Sequence, residues 1–295
     1  MTTRPQLCDC IILLMPTPQP KTILITGCST GFGRVTAIHF AKLGWRVFAT
    51  VRKESDRAGL AREHGNILPL ICDITNEAQV KELGQAVAAQ IPVLEALVNN
   101  AGSAFAAPME LIPPDVLREQ LELNVIAQVA VTQAVMPRLK AAEGTIINVS
   151  SVGGRIASPL FGPYSASKFA LEAISDALRV ELAPFGVKVV VIEPGGSPTP
   201  IWQTSVKRAF GMLQERGLDI SPYQKLIEVV AKMAEERSRV GFPSQLFADT
   251  VEKILASPHP AARYPIPASI GWVIRLRRFM PDAWWDAMVR RRLGW

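Results

Sequence analysis

Short apolar runs alternate with longer amphipathic stretches through the first two thirds of the chain. Lys21–Thr26 (KTILIT) is a β-branched run of strand length and reads as a buried strand. A second strand, WRVFATV, ends near Val51, and a third spans Ile67–Ile71. LEALV, before Asn99, reads as another, and the alternation continues to about Ile192. Helical stretches separate them, beginning with RVTAIHFAKLG after the first strand. Buried strands alternating with helices predict an α/β fold with a doubly wound parallel sheet of Rossmann type. After Gly195 the pattern turns helical and irregular to about Val240.

The first strand runs into Gly27-Cys28-Ser29-Thr30-Gly31-Phe32-Gly33, and a helix follows. Glycines let a backbone approach a pyrophosphate, and a helix N-terminus offers unpaired N–H groups and a positive dipole end. The spacing is Gly-x-x-x-Gly-x-Gly, unlike the common Gly-x-Gly-x-x-Gly fingerprint. An acidic residue closing the second strand would bind the ribose 2′-OH of NAD, whereas an arginine there accommodates the 2′-phosphate of NADP. Here Val51 stands at that place and Arg52 and Lys53 follow. NADP is therefore the expected cofactor, with NAD the alternative. Asp73, after the third strand, has two open roles: contact with the adenine, or capping of the helix that starts near Asn76.

Tyr164 and Lys168 lie four residues apart in YSASK, hence on one helix face, and Ser151 precedes the tyrosine by thirteen residues. A phenol gives or takes a proton, and a hydroxyl holds a reacting oxygen. A neighbouring ammonium is expected to lower the phenol's pKa from about 10.

Together these residues resemble the short-chain dehydrogenase/reductase family in its single-domain branch, from about Lys21 to Pro200. Thr26-Gly27-x-x-x-Gly31-x-Gly33 is similar to that family's cofactor turn. Asn99-Asn100-Ala101-Gly102 resembles its NNAG motif, which steadies the sheet and lies along the cofactor. Asn124 matches the helix asparagine that holds a relay water, and Ser151, Tyr164 and Lys168 match the active-site serine, tyrosine and lysine. Pro194-Gly195 with Thr199 resembles the segment that contacts the nicotinamide. Ser150 competes with Ser151, but Ser151 has the family's spacing. The resemblance implies Tyr164 as general acid in reduction and base in oxidation. It also implies Ser151 on the substrate oxygen, Lys168 on the nicotinamide ribose, and a homodimer or homotetramer. SSVGGR, YSASKFALEA and IEPGGSPTPIW look most like hydroxysteroid and retinol dehydrogenase-like members. The expected substrate is then a hydrophobic secondary alcohol or ketone. Its wall would come from Phe105, Leu160, Phe161 and a flap over residues 196–242 carrying Ile201, Trp202, Phe210, Met212, Leu213 and Leu218. The alternatives are an NAD-dependent dehydrogenase of a smaller hydroxy compound and a non-catalytic dinucleotide-binding protein.

Composition adjusts this picture at the ends. Residues 21–268 make one oxidoreductase domain, leaving extensions at 1–20 and 269–295. Leu7–Met15 is apolar but broken by Asp9 and too short to span a bilayer. Arg4 before it faintly suggests a signal peptide, yet the run flows straight into PTPQP, so a loose extension is expected. Four cysteines without CxxC spacing fit a reducing, cytoplasmic setting, and three histidines without ligand spacing argue against a metal. His39 reads as structural. The net charge of +6 concentrates in residues 269–295, where six arginines face two aspartates and four tryptophans accompany them. Two readings stay open there: peripheral contact with an anionic membrane, or a tail folded over the pocket or a subunit interface. No nucleic-acid-binding motif accompanies the basic cluster.

Overall fold

The structure, a computed structural model, describes residues 19–197 and 201–295. Seven parallel strands form one sheet in the order β3-β2-β1-β4-β5-β6-β7. They are β1 (Thr22–Ile25), β2 (Arg46–Val51), β3 (Ile67–Ile71), β4 (Ala96–Asn99), β5 (Thr145–Val149), β6 (Lys188–Pro194) and β7 (Arg263–Ile266). Through the first six strands, helices make the crossovers: α1 (Gly31–Lys42), α2 (Glu54–Ala61), α3 (Glu77–Gln90), α4 (Pro114–Leu121), α5 (Ala127–Ala142) and α6 (Gly162–Leu182). Then come α7 (Ile201–Glu215), α8 (Gln224–Val240) and α9 (Ser244–Ala256), and after β7 the pair α10 (Ile270–Phe279) and α11 (Asp282–Leu293).

Both sheet faces are covered, so the strands are apolar on both sides. In β1, Ile23 and Ile25 join the core under α1 and α9, while Leu24 joins the core under α3 and α5. Alternate residues of β2 divide in the same way, with Val47, Ala49 and Val51 opposite Phe48. On the α1 side, Phe32 stacks on Phe247 with ring centroids 4.5 Å apart. His39 Nε2 lies 2.6 Å from Glu252 Oε2, which ties α1 to α9 and gives that histidine a structural place.

The strand–helix alternation does not stop near Ile192. Strand β7 pairs with β6, matching Val191 to Arg263 and Pro194 to Ile266. It is short and contains Pro265, so no run of alternating or β-branched residues announces it. Proline lacks a ladder donor and is accommodated at a sheet edge, which is where β7 lies. Residues 269–293 are also more ordered in pattern than a simple tail, forming two helices rooted beside this strand.

Phe247 is fully buried against Phe32. Phe247→Ala is expected to cost about 3–5 kcal/mol, because the site loses its contacts and keeps a cavity. Urea unfolding followed by circular dichroism measures it. A change under about 1 kcal/mol would show that this core collapses around the gap.

Candidate active site

The cleft begins where β1 ends. Gly27 has φ +72°, and a Cβ there would sit 2.8 Å from Ala101 Cα, so only glycine fits without strain. A Cβ on Gly33 would sit 2.4 Å from the Gly27 carbonyl oxygen, which explains the glycine inside the first turn of α1. Asn100 closes the turn from the far side. Its Nδ2 donates to the carbonyls of Thr26 at 2.8 Å and Gly27 at 3.1 Å. Thr26 Oγ1 in turn accepts from the backbone N–H groups of Asn100 and Ala101, each at 3.0 Å.

This turn lines one end of a cleft of about 490 Å³ along the carboxyl ends of the strands. Ser29, Thr30, Gly31 and Phe32 form its floor at the start of α1. Val51, Arg52 and Asp73 lie on the wall at the ends of β2 and β3. Among the described residues, Arg52 makes no ion pair and is exposed on the rim. Asp73 does not cap α3. Asn76 does so, its side chain accepting from Gln79 N at 3.1 Å. Asp73 Oδ1 instead holds the N–H and hydroxyl of Thr75, at 3.1 and 2.8 Å. Ala101 and Gly102 continue the wall, and Pro194 and Gly195 stand at the other end. Gly195 N donates to Ile266 O at 2.7 Å, so β7 fixes that end. Thr199 lies outside the described residues.

Asn124 sits in a π-helical turn, Glu122–Ile126, between α4 and α5. Such wide turns occur often at functional sites. Its Nδ2 donates to Ser103 O at 2.9 Å and Ser167 Oγ at 3.0 Å, and its Oδ1 accepts from Ser103 N at 3.0 Å. Both amide hydrogens are thus engaged by the protein. Ser167, one residue before Lys168, also donates to Tyr164 O at 2.7 Å. Its place within YSASK was the available signal for this buried link.

Ser151 caps a short 3₁₀ turn, its Oγ accepting from Gly153 N at 3.0 Å. It also hydrogen-bonds the Tyr164 hydroxyl. The neighbouring Ser150 hydroxyl lies instead against Gly154, where an added Cβ would come within 2.5 Å of it. Lys168, one turn beyond Tyr164 on α6, donates to Val149 O at 2.8 Å from the end of β5. Its Nζ lies 5.9 Å from the centre of the Tyr164 ring.

The electrostatic expectation for the phenol is reversed. Burial raises the Tyr164 pKa above its ordinary value, and the Ser151 hydrogen bond offsets only part of this. Burial also pushes the Lys168 ammonium down from 10.5 to about 8, with the Glu172 carboxylate one turn further on opposing the shift. Removing water disfavours each charged form. Burial therefore favours the neutral phenol.

On the flap side, Phe105 packs with Ala209 and Leu213 of α7, and Met212 and Leu218 border the same cluster. Leu160 packs with Leu226 and Ile227 of α8 and Leu293 of α11. These apolar residues hold the flap to the body. Phe161 is buried beside them in sequence, while the side chains of Ile201, Trp202 and Phe210 lie outside the description. Ser205 and Arg208 reach the cleft wall from α7. Neither stands out in the sequence, and only the placement of the helix reveals their shared face. Arg208 Nη2 pairs with Glu119 Oε2 of α4 at 2.6 Å.

The family model of the short chain dehydrogenases matches residues 21–209. An NADPH-dependent 3-dehydrocapnine reductase from Ornithobacterium rhinotracheale is 35% identical, over 82% of this chain and 87% of that protein. Estradiol 17-beta-dehydrogenase 2 from Mus musculus is also 35% identical, over 94% of this chain and 76% of its own length. The crystal structure of a short-chain dehydrogenase from Streptomyces avermitilis superposes with a TM-score of 0.75 at 24% identity, covering 92% of this chain and 98% of that one; it shares the fold. With the parallel sheet, the glycine turn and the match over residues 21–209, the chain belongs to the short-chain dehydrogenase/reductase family and is an oxidoreductase acting on CH–OH groups with NAD(P).

Proposed function

We propose that this chain is an NADP(H)-preferring oxidoreductase that interconverts a hydrophobic secondary alcohol and its ketone, a steroid- or retinoid-like lipid. The observation that carries the reading is the buried Ser151–Tyr164–Lys168 group at the end of β5, in one cleft with the glycine turn. The cleft fits a dinucleotide: positive-φ Gly27 and the α1 N-terminus suit a pyrophosphate, and the Lys168 end suits a ribose. The hydride exchanged with the substrate carbon would be supplied by the nicotinamide cofactor that these residues would hold. Ser151 holds the substrate oxygen by a hydrogen bond. Tyr164, kept protonated by burial, gives its proton to that oxygen in reduction and takes it back in oxidation. Lys168 binds the ribose hydroxyls, and Asn124 anchors the water of the proton relay through its wide turn. Buried Val51 and Arg52, which makes no ion pair among the described residues, support the 2′-phosphate preference, as does the NADPH-dependent relative. The estradiol dehydrogenase relative supports the substrate class.

Assembly as a homodimer or homotetramer belongs to the same reading. Ile126, Phe169 and Val180 are exposed on or beside α5 and α6 and support it. Buried, unpaired Cys28 and Cys72 support a reducing, cytoplasmic setting.

Tyr164→Phe keeps the packed ring and removes the proton. Turnover of the best substrate from a hydroxysteroid and retinoid panel should fall by about 10²–10⁴-fold while cofactor affinity is retained. Turnover near the parent level would overturn the mechanism. Arg52→Asp should move the kcat/KM ratio of NADP to NAD towards NAD, since a carboxylate repels a 2′-phosphate and accepts from a 2′-OH. An unmoved ratio would overturn the cofactor assignment.

The buried lysine also makes a stability prediction. Its folded pKa lies near 8, below its ordinary 10.5. Below about pH 8 both folded and unfolded chains carry the proton, and the folded chain bears the full cost of burying it. Between about pH 8 and 10.5 the folded chain sheds the proton first, so the cost fades as pH rises. Lys168→Met has no such cost. Its stability relative to the parent should therefore be greatest at neutral pH and decline through that window. Denaturant midpoints across pH check this, and a difference that stays constant would refute the burial argument.

A further inference from the structure

Helices α10 and α11 each carry two apolar stripes, and among the described residues only one of each packs against the body. On α10, Ile270, Ile274 and Arg277 turn inward, and Ile270 stands against Gly195 at the edge of the cleft. On α11, Trp285, Val289 and Leu293 turn inward at helical spacing, and Leu293 joins the core with Leu160 and Leu226. The Arg277 guanidinium lies 5.3 Å over the Trp285 ring and pairs with Asp282, tying the two helices together.

The second stripes face away. Trp272, Leu276 and Phe279 fall at i, i+4 and i+7 on α10, with Trp272 72% and Phe279 82% exposed. Trp284 and Met288 do the same on α11, where Trp284 is 72% exposed. Arg275 and Arg278 border the first stripe, Arg291 and Arg292 the second, and all four are exposed. Such a face, apolar and aromatic with arginines along its margin, has the makeup of a helix lying in a membrane interface. Among the described residues no helix is long and apolar enough to cross a membrane.

We propose that α10 and α11 dock this protein onto an anionic lipid surface, with Trp272, Phe279 and Trp284 at the headgroup boundary and the bordering arginines on lipid phosphates. Charge selects the lipid over a second copy of the chain. A two-fold interface sets the same patch against itself. Residues 269–295 hold six arginines and only two aspartates, one of which already pairs with Arg277, so self-association would oppose like charges. A bilayer carrying anionic headgroups supplies the missing negative charge. Docking would also bring the Pro194–Gly195 end of the cleft, held by Ile270, near the phase in which an apolar substrate dissolves. Only this last consequence rests on the substrate reading; the docking is tested without turnover.

The full chain is sedimented with phosphatidylcholine vesicles and with vesicles of phosphatidylcholine and phosphatidylglycerol in equal parts. Binding to the second alone is expected, and it should weaken with salt as the screening length shrinks from about 10 Å at 0.1 M towards about 3 Å at 1 M. Each arginine near such a surface contributes a factor of roughly five, so Arg275→Gln with Arg278→Gln should weaken binding by roughly 25-fold. Trp272→Ser with Phe279→Ser should abolish it and leave the circular dichroism spectrum and the turnover of dispersed substrate unchanged. Absence of binding, equal binding to both vesicles, or parental binding by the aromatic variant would each overturn the proposal. A parent that ignores vesicles but loses a dimer on the aromatic substitutions would identify a second copy as the occupant.

Discussion

The seam between β1 and β4 is the constraint on which the site depends. The chain leaves β1 through Thr26 and Gly27 in a conformation that brings its backbone against Ala101. Asn100 then ties both carbonyls of that turn to the end of β4. Neighbouring strands of the sheet diverge in order at this seam, β2 to one side and β5 to the other, and a crevice opens where they part. The clamp sets the direction of the α1 N-terminus on one side of it. On the other it fixes Gly102, whose missing Cβ leaves room beside Asn124 Oδ1 and Lys168 Nζ. A side chain at Gly27 or Gly33 would intrude on the turn itself, against Ala101 or against the Gly27 carbonyl and Asn100.

Within that crevice, burial governs charge. It raises the pKa of the Tyr164 phenol and brings Lys168 down to about 8, so each group is biased towards its uncharged form. The lysine is not left alone with this cost. Val149 O accepts its hydrogen bond, and Glu172 stands one helical turn away. Glu172 is itself held by Arg263 of β7 at 3.0 Å, and Arg263 also pairs with Asp176 at 2.7 Å. Burial raises the pKa of the nearby Glu193, with Arg155 at 2.9 Å opposing that rise. A buried ion pair seldom adds much net stability, but removing one partner strands the other. The last strand therefore supports the lysine's surroundings as well as the sheet edge.

The flap is joined to the body mainly by apolar contact. Phe105 and Val116 meet Ala209 and Leu213, and the exposed pairs Arg208–Glu119 and Arg216–Asp115 span the same gap between α7 and α4. Exposed pairs of this kind contribute little, so the packed cluster sets how firmly α7 sits. Arg208 consequently reaches the cleft wall from a helix whose seat is decided by neighbours far away in sequence.

By itself the sequence determined what depends on short spacing. Apolar runs of strand length located β1 to β4 and the alternation continued to about Ile192, the glycines marked the turn, and four-residue spacing placed Tyr164 and Lys168 on one face. Those relations are set by backbone geometry within one or two turns. Tertiary structure decided the rest. Strand β7 exists because β6 offers an open edge, which no property of RYPI announces. Asp73 yielded the cap to Asn76 through a local choice between two competent acceptors. The direction of the Tyr164 shift followed from how much water the fold excludes, a sum over segments from β4 to α7. Which tryptophans of the last two helices face outward was likewise settled only when Leu293 and Ile270 found their places in the body. The physical reason is the same in each case: spacing along a chain fixes neighbours, whereas desolvation and edge pairing depend on groups that only the folded chain brings together.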